Sequence, residues 1–297
     1  MKNHFERPCF IVNASSDRNR AVRHVSWIRQ EAKKEWALAE IVIVEKGRDL
    51  TRLAAEKSEV FDLVVACGGD GTVSRIAAGL AGKRAALGLL PMGSGNDFAL
   101  AAGLHRSLPE CMDILKRGEV TPFDMIRYSG DAEGWCANTI GLGLDGLANY
   151  YAGKNTLLKG SALYLFGLLK AISRFRGSAL TITTGDQVTT GHFMMATLCN
   201  GPREGGRFVV APHADPSDGF LELLTIRKIP ISLLLGYLPF FLKGPARWMR
   251  GVDQHSCQSL QIHSSQPLAV HCDGEHLSSD IRHLRMEVRE GVLNVVK

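Results

Sequence analysis

Residues 67–80 read CGGDGTVSRIAAGL and follow directly on an apolar run, FDLVVAC at 61–67. The apolar run predicts a buried strand, and the spacing of apolar residues after the glycines predicts a helix. Gly68, Gly69 and Gly71 permit positive φ and a close approach of the backbone to a ligand. Because the N-terminus of a helix offers N–H groups to an anion, this stretch predicts a phosphate-binding loop.

A second glycine loop follows the next predicted strand. The segment PMGSGNDFA at 91–99 places Gly93, Ser94, Gly95 and Asn96 ahead of another helix. In an open parallel sheet, ligands bind at the carboxyl ends of the strands, where both loops are expected to lie. Two such loops side by side are able to embrace one nucleotide.

An aspartate occupies the middle of the first loop, where a polyanion is expected to bind. A carboxylate about 4 Å from a phosphate oxygen costs about 1 kcal/mol in water and about 4 kcal/mol in a partly buried site, so a cation is needed between them. We therefore predict that Asp70, with Asp97 and Asp124, binds Mg²⁺ directly or through water. Neither loop contains a lysine, which agrees with this prediction. The alternative is a tight turn with an N-cap aspartate.

The predicted elements divide the chain into two domains. Up to residue 124, apolar strand-like runs alternate with helical periodicity, which predicts a parallel sheet with helices on both faces. From Met125 onward strand patterns follow one another, and residues 179–200 predict a hairpin with a Gly-Asp turn. The predicted fold class is α/β plus mainly β, with an α/β domain over 1–124 and an antiparallel β domain over 125–297. Residues 280–297 are able to pack back on the first domain.

Composition narrows the class of protein. A chain of 297 residues, 45% hydrophobic and 22% charged, is typical of a globular protein. A net charge of +5 gives no reason to expect a nucleic-acid partner. Seven cysteines without a CxxC pair favour a reducing compartment. No signal peptide or long uninterrupted apolar run is visible, so a cytoplasmic protein is predicted.

Two long stretches, 147–185 and 223–252, contain no acidic residue. They carry the predicted helices at 156–175 and 231–250, in which Lys and Arg flank Leu, Phe, Tyr and Trp. Apolar helices with basic flanks are typical of segments that contact an anionic membrane surface. Ordinary core helices with basic flanks are the alternative.

Two further groups of carboxylates are candidates for chemistry. Asp273 and Glu275, two residues apart at a strand end, are expected to project from one face and to hold or deprotonate a substrate hydroxyl. Asp215 and Asp218 flank a turn that could hold a hard cation, with the carbonyls of Asp215 and Phe220 close by. Simple turns are the alternative for both groups, and His271 and Cys272 are interpreted as structural.

The segment GLGLDG at 141–146 matches the spacing of a dinucleotide-binding fingerprint. That fingerprint also needs an acidic residue about twenty positions later, within a βαβ unit. No Asp or Glu occurs from 147 to 185, so a hydride-transfer enzyme is excluded.

Six motifs together resemble the lipid kinases with a diacylglycerol kinase catalytic domain, a family that includes sphingosine and ceramide kinases and their bacterial relatives. They are GGDGTV (68–73), PMGSGNDFA (91–99), PFDM (122–125), GLGLD (141–145), APHADPSDGFLEL (211–223) and DGE (273–275). The resemblance implies a nucleotide-binding domain similar to NAD kinases and phosphofructokinases, followed by a β-sandwich-like lipid-binding domain. It implies Mg²⁺-dependent transfer of the γ-phosphoryl group of ATP to a hydroxyl of a membrane lipid such as diacylglycerol, phosphatidylglycerol or a sphingoid base, with peripheral membrane contact.

The resemblance also implies roles for individual residues. The implied nucleotide contacts are Asn13, Ser15, Gly68, Gly69, Asp70, Gly71, Thr72, Val73, Gly93, Ser94 and Asn96. Asp70, Asp97 and Asp124 organise the catalytic Mg²⁺ network, and Glu275, with Asp273 beside it, is the proton acceptor. Asp145 falls at a lipid head-group position. Asp215, Asp218 and Phe220 fall on a structural Mg²⁺ or Ca²⁺ site.

Two other functions stay open from the sequence alone. An NAD kinase shares the GGDGT loop, although no N-x-G-x-L-G-F-like segment is present. A lipid- or nucleotide-binding sensor with the same fold and no catalysis is slightly favoured by NASSD at 13–17, where the family has N-P-x-S-G. The intact carboxylates count against it, and these are Asp70, Asp124, Asp273 and Glu275. Val44 or Glu45 stands where the family has Thr, and both departures fall at positions that contact nucleotide in relatives. The sequence leaves the oligomeric state open.

Overall fold

A computed structural model describes residues 5–16, 21–154 and 160–297 of the chain. The chain divides into two compact units, one of Met1–Met125 with Glu290–Lys297 and one of Ile126–Arg289. Residues 280–297 were predicted to pack back on the first domain, and the last eight of them, 290–297, belong to the first unit. Residues 156–159 of one predicted helix lie outside the described residues.

The first unit follows the predicted alternation of strands and helices. A 3₁₀ turn at Ala21–His24 precedes its first helix. Its elements in chain order are β1 (Pro8–Asn13), α1 (Val25–Glu35), β2 (Glu40–Val44), α2 (Leu50–Ser58), β3 (Leu63–Gly68), α3 (Asp70–Leu80), β4 (Ala86–Pro91), α4 (Asp97–Ala101) and α5 (Leu108–Arg117).

A parallel sheet in the order β2-β1-β3-β4 forms the centre of this unit. The three strands β1, β3 and β4 are buried along most of their length, as apolar β-branched strands of a parallel sheet are expected to be. Near the end of the chain, Val295 pairs in parallel with Leu87 of β4. The order places the carboxyl ends of β1, β3 and β4 next to one another, which positions the two glycine loops.

Helix α5 was not predicted, although the sequence contains a signal for it. Ser107 and Glu110 form a capping box, in which the backbone N–H of Ser107 donates to Glu110 Oε2 at 2.9 Å. The helix ends at Gly118, which has a φ of 66°.

The second unit is built mainly of antiparallel strands, as predicted. The elements after α5 are β5 (Val120–Gly130), β6 (Gly134–Cys136), β7 (Thr139–Gly143), α6 (Leu144–Gly153), α7 (Gly160–Arg174), β8 (Ser178–Thr184), β9 (Gln187–Cys199), β10 (Arg203–Glu204), β11 (Phe208–Val209), β12 (Leu221–Arg227), α8 (Ile231–Tyr237), β13 (Val252–Cys257), β14 (Ser259–Cys272) and β15 (Glu275–Val296). The strand order is β13-β12-β9-β7-β14-β15, and β8 pairs with both β9 and β14. The predicted hairpin is confirmed as β8 and β9, with Thr184 paired with Gln187 across the Gly-Asp turn.

Two sequence patterns in this unit, the predicted helix at 231–250 and the GLGLDG segment, can be compared with the structure. The predicted helix at 231–250 stops after Tyr237 and gives way to a 3₁₀ turn at Phe240–Leu242. Pro239 explains the stop, because proline lacks an N–H and disfavours helical backbone at the residue before it. The GLGLDG segment starts on β7, which lies antiparallel between β9 and β14 and not in a βαβ unit. Among the described helices, none has the length and apolar character to cross a membrane.

The packing of α3 on α2 gives a test of the first unit. A Cβ atom on Gly79 would lie 2.2 Å from the carbonyl oxygen of Thr51, a backbone atom that cannot swing away. We expect Gly79→Ala to lower the free energy of unfolding by about 1–3 kcal/mol, measured as a shift of the thermal transition. Gly153→Ala is the control, because among the described residues no atom beyond its chain neighbours and its own helix backbone lies within 4 Å of the place its methyl group would take. Equal behaviour of the two variants would contradict the packing argument.

Candidate active site

Three loops meet at the carboxyl ends of β1, β3 and β4. Asn13, the last residue of β1, donates from Nδ2 to Thr72 Oγ1 at 2.9 Å. Ser15 donates to Asn13 Oδ1 from its backbone N–H at 3.1 Å and from its hydroxyl at 2.7 Å. The structure therefore brings the predicted nucleotide contacts Asn13, Ser15 and Thr72 together.

The carboxylate of Asp70 joins the two glycine loops. Its Oδ2 accepts the backbone N–H of Asn96 at 2.8 Å, and its Oδ1 accepts that of Asp97 at 2.6 Å. Asn96 in turn exchanges hydrogen bonds with Gly93, accepting the Gly93 N–H at 2.9 Å and donating to the Gly93 carbonyl at 3.0 Å. A hydrogen bond to a charged group contributes about 1.5–3 kcal/mol, so Asp70 fixes the second loop against the first.

Gly69 and Gly93 allow the two loops to lie in close contact, and neither residue has a positive φ. A Cβ atom on Gly93 would lie 2.6 Å from the Cα of Gly69, and one on Gly69 would lie 3.1 Å from the Cα of Gly93. None of the glycines in these two described loops has a positive φ, so close approach of the backbones is the property of glycine that this site uses. The left-handed residue is Asn96, with a φ of 55°.

The predicted nucleotide contacts differ in accessibility. Ser15 and Ser94 are exposed, whereas Thr72 and Val73 are buried in the first turn of α3. The N–H groups of Thr72 and Val73 donate to the Gly69 carbonyl at 2.9 and 3.1 Å. The exposed serines and the loop backbone thus offer more surface to a ligand than the start of α3.

The three aspartates predicted to organise Mg²⁺ do not form a three-ligand cluster. The described residues contain two groups of three potential ligands whose atoms lie within 4.8 Å of one another, and neither includes Asp70, Asp97 or Asp124. Asp124 is buried, and its Oδ1 accepts the Gly291 N–H at 2.8 Å. Carboxylates are ligands that Mg²⁺ accepts directly or through its waters, so a Mg²⁺ site at Asp70, Asp97 and Asp124 stays a prediction.

Asp273 and Glu275 lie on the two sides of a hairpin turn in the second unit. Asp273 and Gly274 form the turn, with φ values of 50° and 76°, and Cys272 of β14 pairs with Glu275 of β15. The prediction that both carboxylates project from one strand face is wrong, because the chain reverses between them. Glu275 is half-buried at the start of β15.

The carboxylate of Asp273 organises the loop that precedes β7. It accepts the backbone N–H groups of Ala137, Asn138 and Thr139 at 3.0, 2.8 and 2.9 Å. The thiol of Cys136 donates to it at 2.9 Å, and burial raises the pKa of that thiol well above its usual value, which keeps the proton on sulfur. All seven cysteines are free thiols.

Asp145 is buried in a cluster that sequence reasoning missed. Only 1% of Asp145 is exposed, and its Oδ2 accepts the Thr197 hydroxyl at 2.7 Å. The Nε2 atom of His271 lies 3.1 Å from Asp145 Oδ2 and 3.1 Å from Glu204 Oε1. Gly141 is the sequence signal, since a Cβ there would lie 2.1 Å from Asp145 Oδ2 and 2.2 Å from His271 Nε2.

Asp215 and Asp218 both stabilise a turn. Asp215 Oδ1 accepts the N–H and the hydroxyl of Ser217 at 3.0 and 2.7 Å, and Asp218 Oδ1 accepts the Phe220 N–H at 2.9 Å. Asp215, Asp218 and Phe220 are exposed. The contacts are those of the simple turn that was the alternative, and a structural cation here stays a prediction.

Comparison with protein families finds two matching models. The model for the diacylglycerol kinase catalytic domain matches residues 7–128, and that for the YegS C-terminal NAD kinase beta sandwich-like domain matches residues 138–297. A Xanthomonas campestris pv. campestris protein named "Probable lipid kinase YegS-like" is 29% identical over 93% of this chain and 91% of its own. A diacylglycerol kinase of Mycobacterium tuberculosis is 31% identical over 75% of this chain and 73% of its own.

Solved structures support the same fold. A diacylglycerol kinase from Bacillus anthracis matches with a TM-score of 0.76 at 21% identity, over 99% of this chain and 98% of its own. An NAD kinase from Archaeoglobus fulgidus in complex with ATP matches with a TM-score of 0.57 at 14% identity, over 98% and 93%. At these identities the likeness shows the fold alone, and it confirms the predicted fold class.

The Asp70 contacts give a test with a matched control. In Asp70→Asn the charge is lost and at least one loop N–H loses its acceptor, which we expect to cost about 1–3 kcal/mol of stability and at least tenfold in ATP affinity by calorimetry. Asp62→Asn is the control, because Asp62 accepts the N–H groups of Glu6 and Arg7 at 2.7 and 3.1 Å away from these loops. We expect Asp62→Asn to lose stability and to bind ATP normally. Unchanged ATP binding in Asp70→Asn would contradict the role given to the loop pair.

Proposed function

The chain belongs to the lipid kinase family that combines a diacylglycerol kinase catalytic domain with a YegS-type C-terminal domain, and on this premise we propose that it transfers the γ-phosphoryl group of ATP to a hydroxyl of a membrane lipid. It is a phosphotransferase with an alcohol acceptor. Diacylglycerol is the acceptor that the relatives' names favour, with phosphatidylglycerol and sphingoid bases as the other acceptors of the proposal.

The observation that carries the proposal is the joined pair of glycine loops. Asp70 ties the loop after β4 to the loop after β3, and Asn13 ties the end of β1 to Thr72 of the same loop. Three strand ends of a parallel sheet are thereby held as one surface, where nucleotides bind in such sheets. Phosphoryl transfer depends mainly on positioning and charge stabilisation, which a rigid loop pair supports.

The carboxylates have separate proposed roles. Asp70 and Asp124, with Asp97, would hold Mg²⁺ through its waters, and the bound ion would neutralise charge on the phosphates. Glu275 accepts the proton of the lipid hydroxyl. Asp273 holds the 137–139 loop through its three backbone contacts and acts as a positioning residue.

The decisive experiment offers labelled ATP and Mg²⁺ to the protein with diacylglycerol, phosphatidylglycerol, sphingosine or NAD. Label in one lipid, absent with Asp70→Asn, would support the proposal and name the acceptor. Label in NAD would favour an NAD kinase. ATP binding without transfer to any acceptor would favour a sensor without catalysis.

The role of Glu275 predicts a defect in turnover and not in nucleotide binding. We expect Glu275→Gln to lower kcat by about 10²–10⁴-fold, as loss of a general base does, while the KM for ATP stays unchanged. Asp280→Asn is the control, since Asp280 is an exposed acid on the same strand. A Glu275→Gln variant with normal kcat would remove Glu275 from the mechanism.

An exposed apolar and basic surface is the proposed membrane contact. Along the acid-free stretch 223–252, large apolar side chains face solvent, and these are Leu235, Phe240, Leu242 and Trp248. Lys243, Arg247 and Arg250 are exposed on the same stretch. Trp248 packs edge-on against Phe240, with ring centroids 5.0 Å apart, so these two aromatic side chains are adjacent. Basic and aromatic groups together suit an anionic lipid surface.

Vesicle binding tests this surface independently of catalysis. We expect Trp248→Ala to weaken co-sedimentation with phosphatidylglycerol vesicles by about tenfold, because burial of a large apolar side chain contributes about 1.5–3 kcal/mol. Val188→Ala is the control, since Val188 is an exposed apolar residue at 62% outside the stretch. Equal binding by both variants, or equal binding to neutral phosphatidylcholine, would contradict the assignment.

A further inference from the structure

The buried cluster of Asp145, Glu204 and His271 takes no part in the chemistry described so far. All three side chains are at least 95% buried. Asn149 completes the group by donating to Glu204 Oε1 at 3.4 Å. Burying two carboxylates costs several kcal/mol per ion unless they are paired, so the cluster calls for a reason.

The hydrogen bonds of His271 fix its tautomer. The backbone N–H of Gly274 donates to Nδ1 at 3.2 Å, so Nδ1 carries a lone pair and no proton. The ring proton therefore lies on Nε2, which is 3.1 Å from both Asp145 Oδ2 and Glu204 Oε1 but is not aligned for a hydrogen bond to either oxygen. His271 thus connects the buried carboxylates on one side with a backbone N–H on the other.

Burial favours the protonated form of Glu204. Burial and the neighbouring Asp145 raise the pKa of Glu204 above its usual value. The two carboxylates also raise the pKa of His271 against the effect of burial, but a proton on Nδ1 would face the Gly274 N–H and break that bond. A neutral imidazole with its proton on Nε2 keeps the Gly274 contact in place.

The same tautomer argues against a metal ion. The ligand atoms of Asp145, Glu204 and His271 lie within 4.8 Å of one another, close enough for a metal site. A metal on Nε2 needs the ring proton on Nδ1, where Gly274 already donates. The tautomer that the Gly274 contact sets therefore disfavours a cation on Nε2.

Gly274 connects this cluster to the proposed proton acceptor. It is the second residue of the turn between β14 and β15, and Glu275 follows it directly. We propose that His271 is a positioning residue for lipid phosphorylation, which anchors the Asp273–Gly274 turn to the buried carboxylates and so sets the position of Glu275. This inference rests on the proposed function, because it acts through Glu275.

Two isosteric variants separate the two sides of the ring. In His271→Asn, the amide oxygen can replace Nδ1 as the acceptor for Gly274, and the Nε2 donor is lost. In His271→Gln, the amide can replace the Nε2 donor, and the acceptor for Gly274 is lost. We expect His271→Gln to lower kcat by tenfold or more and His271→Asn to keep more of the activity, with the KM for ATP unchanged in both. His263→Gln is the control, on an exposed histidine of the same strand.

A purely structural role would show a different pattern. Normal kcat in His271→Gln, or equal losses in both variants that follow their losses of thermal stability, would overturn the proposal. The ¹⁵N resonances of the His271 ring in the wild-type protein give a readout that needs no variant and no activity. An unprotonated Nδ1 supports the proposal that His271 anchors the Asp273–Gly274 turn, and a protonated Nδ1 overturns that proposal. If the wild-type protein phosphorylates no lipid, the proposed function fails while this spectrum still decides the anchor.

Discussion

The two hydrogen bonds from the Asp70 carboxylate to the Asn96 and Asp97 backbone are the contact on which the candidate nucleotide site depends. They explain why an aspartate stands in a loop suited to phosphates: its charge is engaged by N–H groups of the neighbouring loop. They also explain the glycines, because the loops can be tied this closely only if Gly69 and Gly93 lack side chains. The two N–H dipoles offset part of the negative charge of this carboxylate and so reduce its repulsion of a phosphate.

In the second unit, Asp273 likewise holds a neighbouring loop through its carboxylate, which accepts three backbone N–H groups from residues 137–139. Replacing such a residue with alanine removes a loop anchor together with any catalytic group, so loss of activity alone does not identify a metal ligand or a base. Matched variants that break backbone contacts elsewhere, such as those of Asp62, separate the two effects. Glu275 differs from Asp273 in this respect, since its proposed role is proton transfer and not loop support.

Local patterns predicted most of the fold and part of the candidate site. Alternating strand and helix periodicity gave the parallel sheet, and the Gly-Asp turn gave the β8–β9 hairpin. Helix α5 was missed despite the capping box of Ser107 and Glu110, a signal that the sequence does contain. The separation of Asp273 from Glu275 by a turn depends on where the strand reverses, which the local pattern did not predict. Glu204 and His271 meet only through the tertiary fold, 67 positions apart in sequence, so no spacing rule could join them.

The cluster under Gly141 changes how the GLGLD motif is understood. Its glycine spacing resembles a nucleotide fingerprint, yet Gly141 leaves room for the Asp145 carboxylate and the His271 ring. At 1% exposure, Asp145 has almost no surface to offer a lipid head group directly. Removing the Asp145 carboxylate takes away the acceptor of the buried Thr197 hydroxyl, which costs about 1–3 kcal/mol. A defect at Asp145 would therefore arise from loss of the cluster that supports the turn before Glu275, even if no lipid ever touches this carboxylate.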